Sequence, residues 1–98
     1  MKILTLDEIK KAVEQVALDY DLARVILFGS YATGKRTARS DIDLLVEFSP
    51  TAIVTLFTLF RLERALRELT GKKVEIIHAP IEPDSLIKIE KEVLVYGQ

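Results

Sequence analysis

The sequence predicts an α/β (α+β) fold, a small mixed β-sheet flanked by helices. Three observations predict it. Apolar residues recur at helical spacing in three separate stretches, three short runs carry strand patterns, and the segments follow in the order helix, strand, strand, helix, strand, helix. The chain of 98 residues is 49% hydrophobic and 30% charged, which suits one domain over residues 1–98 and is too apolar for disorder.

Thr5-Leu6-Asp7-Glu8 has the form of a capping box, and Ile9, Val13, Val16 and Ala17 then repeat at helical spacing, so a first helix is expected over about 6–18. Arg24 to Phe28 is a short apolar run closed by Gly29-Ser30, the pattern of a strand buried on both faces and therefore central in its sheet. Ser30 to Ser40 holds Gly34 and the cations Lys35, Arg36 and Arg39, and its start suits one helical turn with Ser30 as N-cap. Residues Asp41 to Phe48 alternate and then turn apolar, giving a second strand that ends before Ser49-Pro50.

Ser49 as N-cap with Pro50 behind it predicts a long helix over about 50–70, closed by Gly71 as a C-cap. Leu56, Leu59, Phe60, Leu62, Leu66 and Leu69 form its expected core face, with Phe57 off-centre and able to join Val54 and Val95 in a patch that docks another protein. Lys73 to Ile77 reads as a third strand, and Asp84 as the cap of a last helix running to about Val95.

Fourteen Lys and Arg against fifteen Asp and Glu leave a net charge of -1, so no global field favours nucleic acid as a direct ligand. No apolar stretch approaches the ~20 residues of a membrane-spanning helix, cysteine is absent, and the start of the chain lacks the order of a signal peptide. A cytoplasmic protein without disulfides is expected.

The chemistry concentrates in Gly29-Ser30 and, after ten intervening residues, Asp41-Ile42-Asp43. A strand turns alternate side chains to one face, so Asp41 and Asp43 project together with Cα atoms about 6.5–7 Å apart. Two such carboxylates repel unless a cation joins them, and magnesium accepts carboxylate oxygens while leaving room for phosphate and water. A glycine at the exit of a buried strand lets backbone N–H groups approach a phosphate, with the Ser30 hydroxyl as a further donor. Taken alone, the aspartate pair is more ordinarily a turn cap and a solvated strand residue; combined with Gly29-Ser30 it reads as a metal–nucleotide site. Tyr31 is expected to pack, Glu47 to lie solvated about 13 Å from Asp43 along the strand, and His78 to end the third strand.

Gly29-Ser30-Tyr31-Ala32-Thr33-Gly34, followed by Ser40-Asp41-Ile42-Asp43-Leu44-Leu45-Val46-Glu47-Phe48, resembles the signature of the minimal nucleotidyltransferases of the DNA polymerase β superfamily. Leu59 to Leu66 and Gly71 to Ile77 resemble the long helix and third strand of that family, so the likeness covers most of the chain. The resemblance implies a DNA polymerase β-like nucleotidyltransferase fold that uses ATP and Mg2+. It implies that Asp41, Asp43 and Glu75 are catalytic and hold metal, and that Gly29, Ser30, Ser40, Lys35 and Arg39 serve the nucleotide. Glu75 stands where the family typically has aspartate.

The resemblance further implies an antitoxin that transfers AMP to a hydroxyl, a tyrosine by expectation, of a HEPN-domain toxin. The acceptor is then carried by another molecule or another copy of this chain, which leaves homo-oligomerisation open. The alternative is a catalytically weak or inactive nucleotide-binding module that neutralises its partner by binding. A small-molecule acceptor ranks last, because the chain offers no obvious pocket for one.

Overall fold

The computed structural model describes residues 4–34, 40–78 and 92–97. Helix α1 (Leu6–Ala17) opens as expected: the Thr5 hydroxyl accepts from the Glu8 backbone N–H at 3.1 Å, and the Glu8 carboxylate accepts from the Thr5 N–H at 3.2 Å. Its buried residues Ile9, Ala12, Val13, Val16 and Ala17 make one stripe toward the sheet.

Strand β1 (Leu22–Phe28) leads into the single turn α2 (Ser30–Thr33). The N-cap of that turn is Gly29 and not Ser30, which is the first helical residue; no side chain caps it, because the glycine takes a backbone conformation closed to serine. The Tyr31 side chain is buried as expected and its hydroxyl accepts from the Leu4 N–H at 3.5 Å, which ties the turn to the segment entering α1.

Strand β2 (Ile42–Phe48) pairs antiparallel with β1, with Phe28 opposite Asp43 and Leu27 opposite Leu44. Helix α3 (Leu56–Thr70) then crosses to β3 (Val74–His78), which runs parallel to β2 with Asp43 beside Glu75. The helix begins six residues later than Ser49-Pro50 suggests. Thr55 is its N-cap and makes a reciprocal box with Thr58, while the β-branched run Ile53-Val54-Thr55 favours the extended chain that precedes it. Replacing Thr55 with alanine removes that cap, and a stability loss of about 1 kcal/mol is expected, read as a lower urea midpoint at unchanged slope. Gly71 closes α3 in the left-handed region, its N–H donating to the Arg67 carbonyl at 2.8 Å, as the sequence predicts.

The chain returns at β4 (Val93–Tyr96), antiparallel to β1, and the sheet order is β3-β2-β1-β4. The expected last helix is corrected here: Val93 and Val95 belong to a strand, since β-branched residues fit the free edge of β1 better than a helix end, and residues 84–91 lie outside the described residues. A mixed four-stranded sheet with helices is otherwise the expected architecture, with β1 in its interior.

Strand alternation gives the sheet two unlike faces. Val25, Leu27, Ile42, Leu44, Val46, Val74 and Val95 join α1 and the α3 residues Leu62 and Leu66 in the main core. Each fully buried leucine there contributes about 1.5–3 kcal/mol of burial. Ile26 and Leu45, with Phe28 and Ile77 against them, form a smaller cluster on the opposite face. Asp43 and Leu45 share a strand parity, as do Glu75 and Ile77, so the two carboxylates lie on that second face, away from α1 and α3.

Candidate active site

Three neighbouring strands bring the site together. β1 ends at Phe28, which stands opposite Asp43 on β2, and Asp43 stands beside Glu75 on β3, so the three form one row across the sheet. Adjacent strands lie about 4.8 Å apart, which sets the spacing of that row. Asp41 directly precedes β2 and acts on Asp43 through its charge.

The carboxyl of Asp43 is pushed up to about 6 from 3.8. Burial against the sheet is the largest cause, followed by a hydrogen bond with Glu75, then the negative charges of Glu75 and Asp41, with Lys73 pulling the other way. Among the described residues the cluster sets Asp41, Asp43 and Glu75 together with Lys73, and it does so at the mouth of a glycine turn.

Gly29 has φ 75° and ψ -154°, a region essentially reserved for glycine. A Cβ there would run into the Asp43 carboxylate and lie 3.3 Å from its Cγ. The backbone of the turn is thus pressed directly against the carboxylate row. Ser30 follows it, half-buried, and Ser40 is half-buried just before Asp41. Lys35, Arg36 and Arg39, three cations of the connecting loop, lie outside the described residues.

One contributor was not singled out by the sequence pattern. The Lys73 Nζ lies 3.6 Å from Glu75 Oε1 and tempers the charge on Asp43. Its signal was available: Lys73 and Glu75 are two residues apart entering a strand, so they share a face. Glu47 pairs with Arg24 at 3.7 Å on the surface, and the His78 ring packs edge-on against Phe48 with centroids 5.2 Å apart, so both have local packing roles.

Among the described residues no three acidic or histidine side chains form a ready-made ion cage. Magnesium does not require one, since it is usually held by one or two carboxylates while phosphate oxygens and water complete its octahedron. The carboxylates gathered around Asp43 and the bare backbone of Gly29 fit that division between protein and substrate.

A carboxylate row on the sheet face that α1 and α3 leave free, with a glycine turn against it, suits nucleoside phosphates. Over residues 6–96 the chain matches the family described as the nucleotidyltransferase domain, and it belongs to that family. It is a nucleotidyltransferase, and the likeness to the minimal nucleotidyltransferases is borne out. It is 36% identical over 74 residues to a candidate protein adenylyltransferase of Methanocaldococcus jannaschii, spanning 76% of this chain and 77% of that one. In three dimensions it is similar to a chain of a toxin–antitoxin crystal structure with AMP-PNP, at TM-score 0.74 and 19% identity over 91% of this chain and 73% of the other. A second neighbour is a chain of the complex between a tri-AMPylated HEPN toxin of Shewanella oneidensis and an MNT antitoxin, at TM-score 0.66 and 16% identity over 96% of this chain and 74% of the other. At such identities the structural likeness establishes the fold.

Proposed function

We propose that this chain is an antitoxin that transfers AMP from ATP, with magnesium, to a tyrosine hydroxyl of a HEPN-domain toxin. The observation that carries the reading is the row Asp43–Glu75 with Gly29 against it, on the sheet face that α1 and α3 leave free. The relatives support it through their own descriptions, one as a candidate protein adenylyltransferase and one as a complex with an AMPylated HEPN toxin.

Asp41 and Asp43 would hold the metal, with Glu75 as the third carboxylate; when bound, magnesium supplies Lewis-acid stabilisation of charge on the transferring phosphoryl oxygens. The backbone N–H groups and hydroxyl of Gly29-Ser30 bind the departing phosphates, with Ser40, Lys35 and Arg39 as further donors to the triphosphate. The acceptor oxygen bonds to the α-phosphorus, the bond from that phosphorus to the bridging oxygen breaks, and pyrophosphate carries the electron pair away. Glu75, the longer carboxylate and the more exposed of the pair, would take the acceptor proton.

Incubating purified protein with ATP, magnesium and a HEPN-domain toxin tests this. An AMP-sized mass gain on the toxin is expected, absent for the double variant Asp41→Ala, Asp43→Ala. Toxin inhibition with no mass gain would overturn transfer and leave neutralisation by binding, the reading favoured if the extra methylene of Glu75 spoils the metal geometry.

A further inference from the structure

An amphipathic helix on a sheet turns its polar side to water, and α3 departs from this over its first turns. Leu62 and Leu66 face the core, with Leu59 and Ala65 beside them. Leu56, Phe57 and Phe60 instead point outward at 70%, 73% and 63% exposure, and Ile53 just before the helix is 89% exposed. Positions 56, 57 and 60 are neighbours on a helix surface. At about 200 Å² for each large side chain, the four leave roughly 600 Å² of apolar surface in water, the upper end for a patch on a monomer and most of the ~800 Å² that one side of a standard interface buries. Val54 and Val95 take no part: the first is half-buried and the second lies in the core.

The border of the patch is cationic. Residues 49–62 contain no carboxylate and Arg61 makes no ion pair among the described residues, whereas Arg64 on the outward side is paired with Glu68 at 3.4 Å. Pairing with a second copy across a two-fold axis is disfavoured by this charge. In antiparallel pairing Arg61 would meet the positive N-terminal end of the other helix, and in parallel pairing the two Arg61 side chains would meet each other.

We propose that the outward face of α3 formed by Ile53, Leu56, Phe57 and Phe60 holds the HEPN-domain partner, through an apolar patch on that partner bordered by carboxylates; this rests on the antitoxin reading above. Phe57 lies about 20 Å along the helix from Gly71, the end nearest the carboxylates, and on the other side of the sheet from them. A partner held there leaves the carboxylate row open to ATP and to the acceptor hydroxyl, so holding and modifying are separate surfaces.

Calorimetric titration of a purified HEPN-domain toxin into the full chain tests the proposal. The double variant Phe57→Glu, Phe60→Glu should bind the toxin at least about 100-fold more weakly, and Arg61→Glu about 10-fold more weakly with a smaller salt dependence. Both should melt at the wild-type temperature and keep wild-type binding of magnesium ATP, since neither touches the core or the site. Toxin binding by these variants equal to wild type would overturn the docking face alone. No binding by the wild-type chain would overturn the antitoxin reading and this proposal together. A dimer of the chain alone in the ultracentrifuge, lost in the double variant, would assign the face to a second copy and overturn the partner assignment.

Discussion

Asp43→Asn is expected to lower AMP transfer on the order of 10³-fold or more and to raise the stability of the metal-free protein at pH 8. The first effect follows from removing a charged oxygen at the centre of the carboxylate row. The second follows from the environment of that oxygen. Asp43 has its carboxyl pushed up to about 6 by burial and by Glu75 and Asp41. Between the ordinary value of 3.8 and about 6, the folded chain keeps a proton that the unfolded chain has released. Stability therefore falls as pH rises through that window and stays reduced above it. Asparagine resembles the protonated acid, keeps a donor for Glu75, and carries no charge to repel. The melting temperature of the variant should exceed that of wild type at pH 8 without metal, and the difference should shrink as pH falls through about 6 and close below 3.8. Added magnesium ATP should raise the wild type and leave the variant where it is. A variant that melts below wild type at pH 8 would show that Asp43 is not held at the expense of stability. The cluster would then be a structural network and not a site kept charged for a ligand.

Local rules were legible wherever a single physical cause decides. The Thr5 and Glu8 box, the Gly71 cap and the buried run of β1 each follow from residues that have one good option. The start of α3 was not legible because two caps compete. Ser49-Pro50 is a good signal, but the β-branched segment behind it resists helix, and the reciprocal Thr55–Thr58 pair takes the role six residues on. The strand β4 was hidden for a different reason. Its place is set by the open edge of β1, a partner more than 60 residues away, and spacing within residues 84–95 cannot register that edge. The face of α3 is the same lesson in reverse. Periodicity counts apolar residues on a stripe, whereas which of them become buried depends on how the helix packs on the sheet, and Phe60 and Leu56 stay exposed. For the site, the alternation rule put Asp41 and Asp43 on one face. It could not tell that the helices would cover the opposite one, or that Lys73 would stand within 3.6 Å of Glu75.

Gly29→Ala should strongly weaken nucleotide binding, and Gly71→Ala measures how much of that damage is backbone strain alone. Both glycines hold positive φ, 75° and 70°. At Gly71 a Cβ meets nothing within 4 Å, so alanine there should cost about 1 kcal/mol of stability and leave nucleotide binding unchanged. At Gly29 the backbone sits in a region that costs a non-glycine residue about 1–3 kcal/mol, and the added methyl lands on the Asp43 carboxylate. The turn cannot yield toward the sheet, because the Ala32 N–H is bound to the Gly29 carbonyl at 3.1 Å and Tyr31 is fixed in the core. It must lift, which carries the Gly29-Ser30 N–H groups away from Asp43 and separates the two halves of the site. Magnesium ATP affinity should therefore fall about 100-fold in Gly29→Ala and stay at the wild-type value in Gly71→Ala, even though both melt earlier. Equal loss of affinity in the two variants would mean that strain, and not the contact between the turn and the carboxylate row, governs the site. The glycine would then be needed for the fold and not for the phosphates.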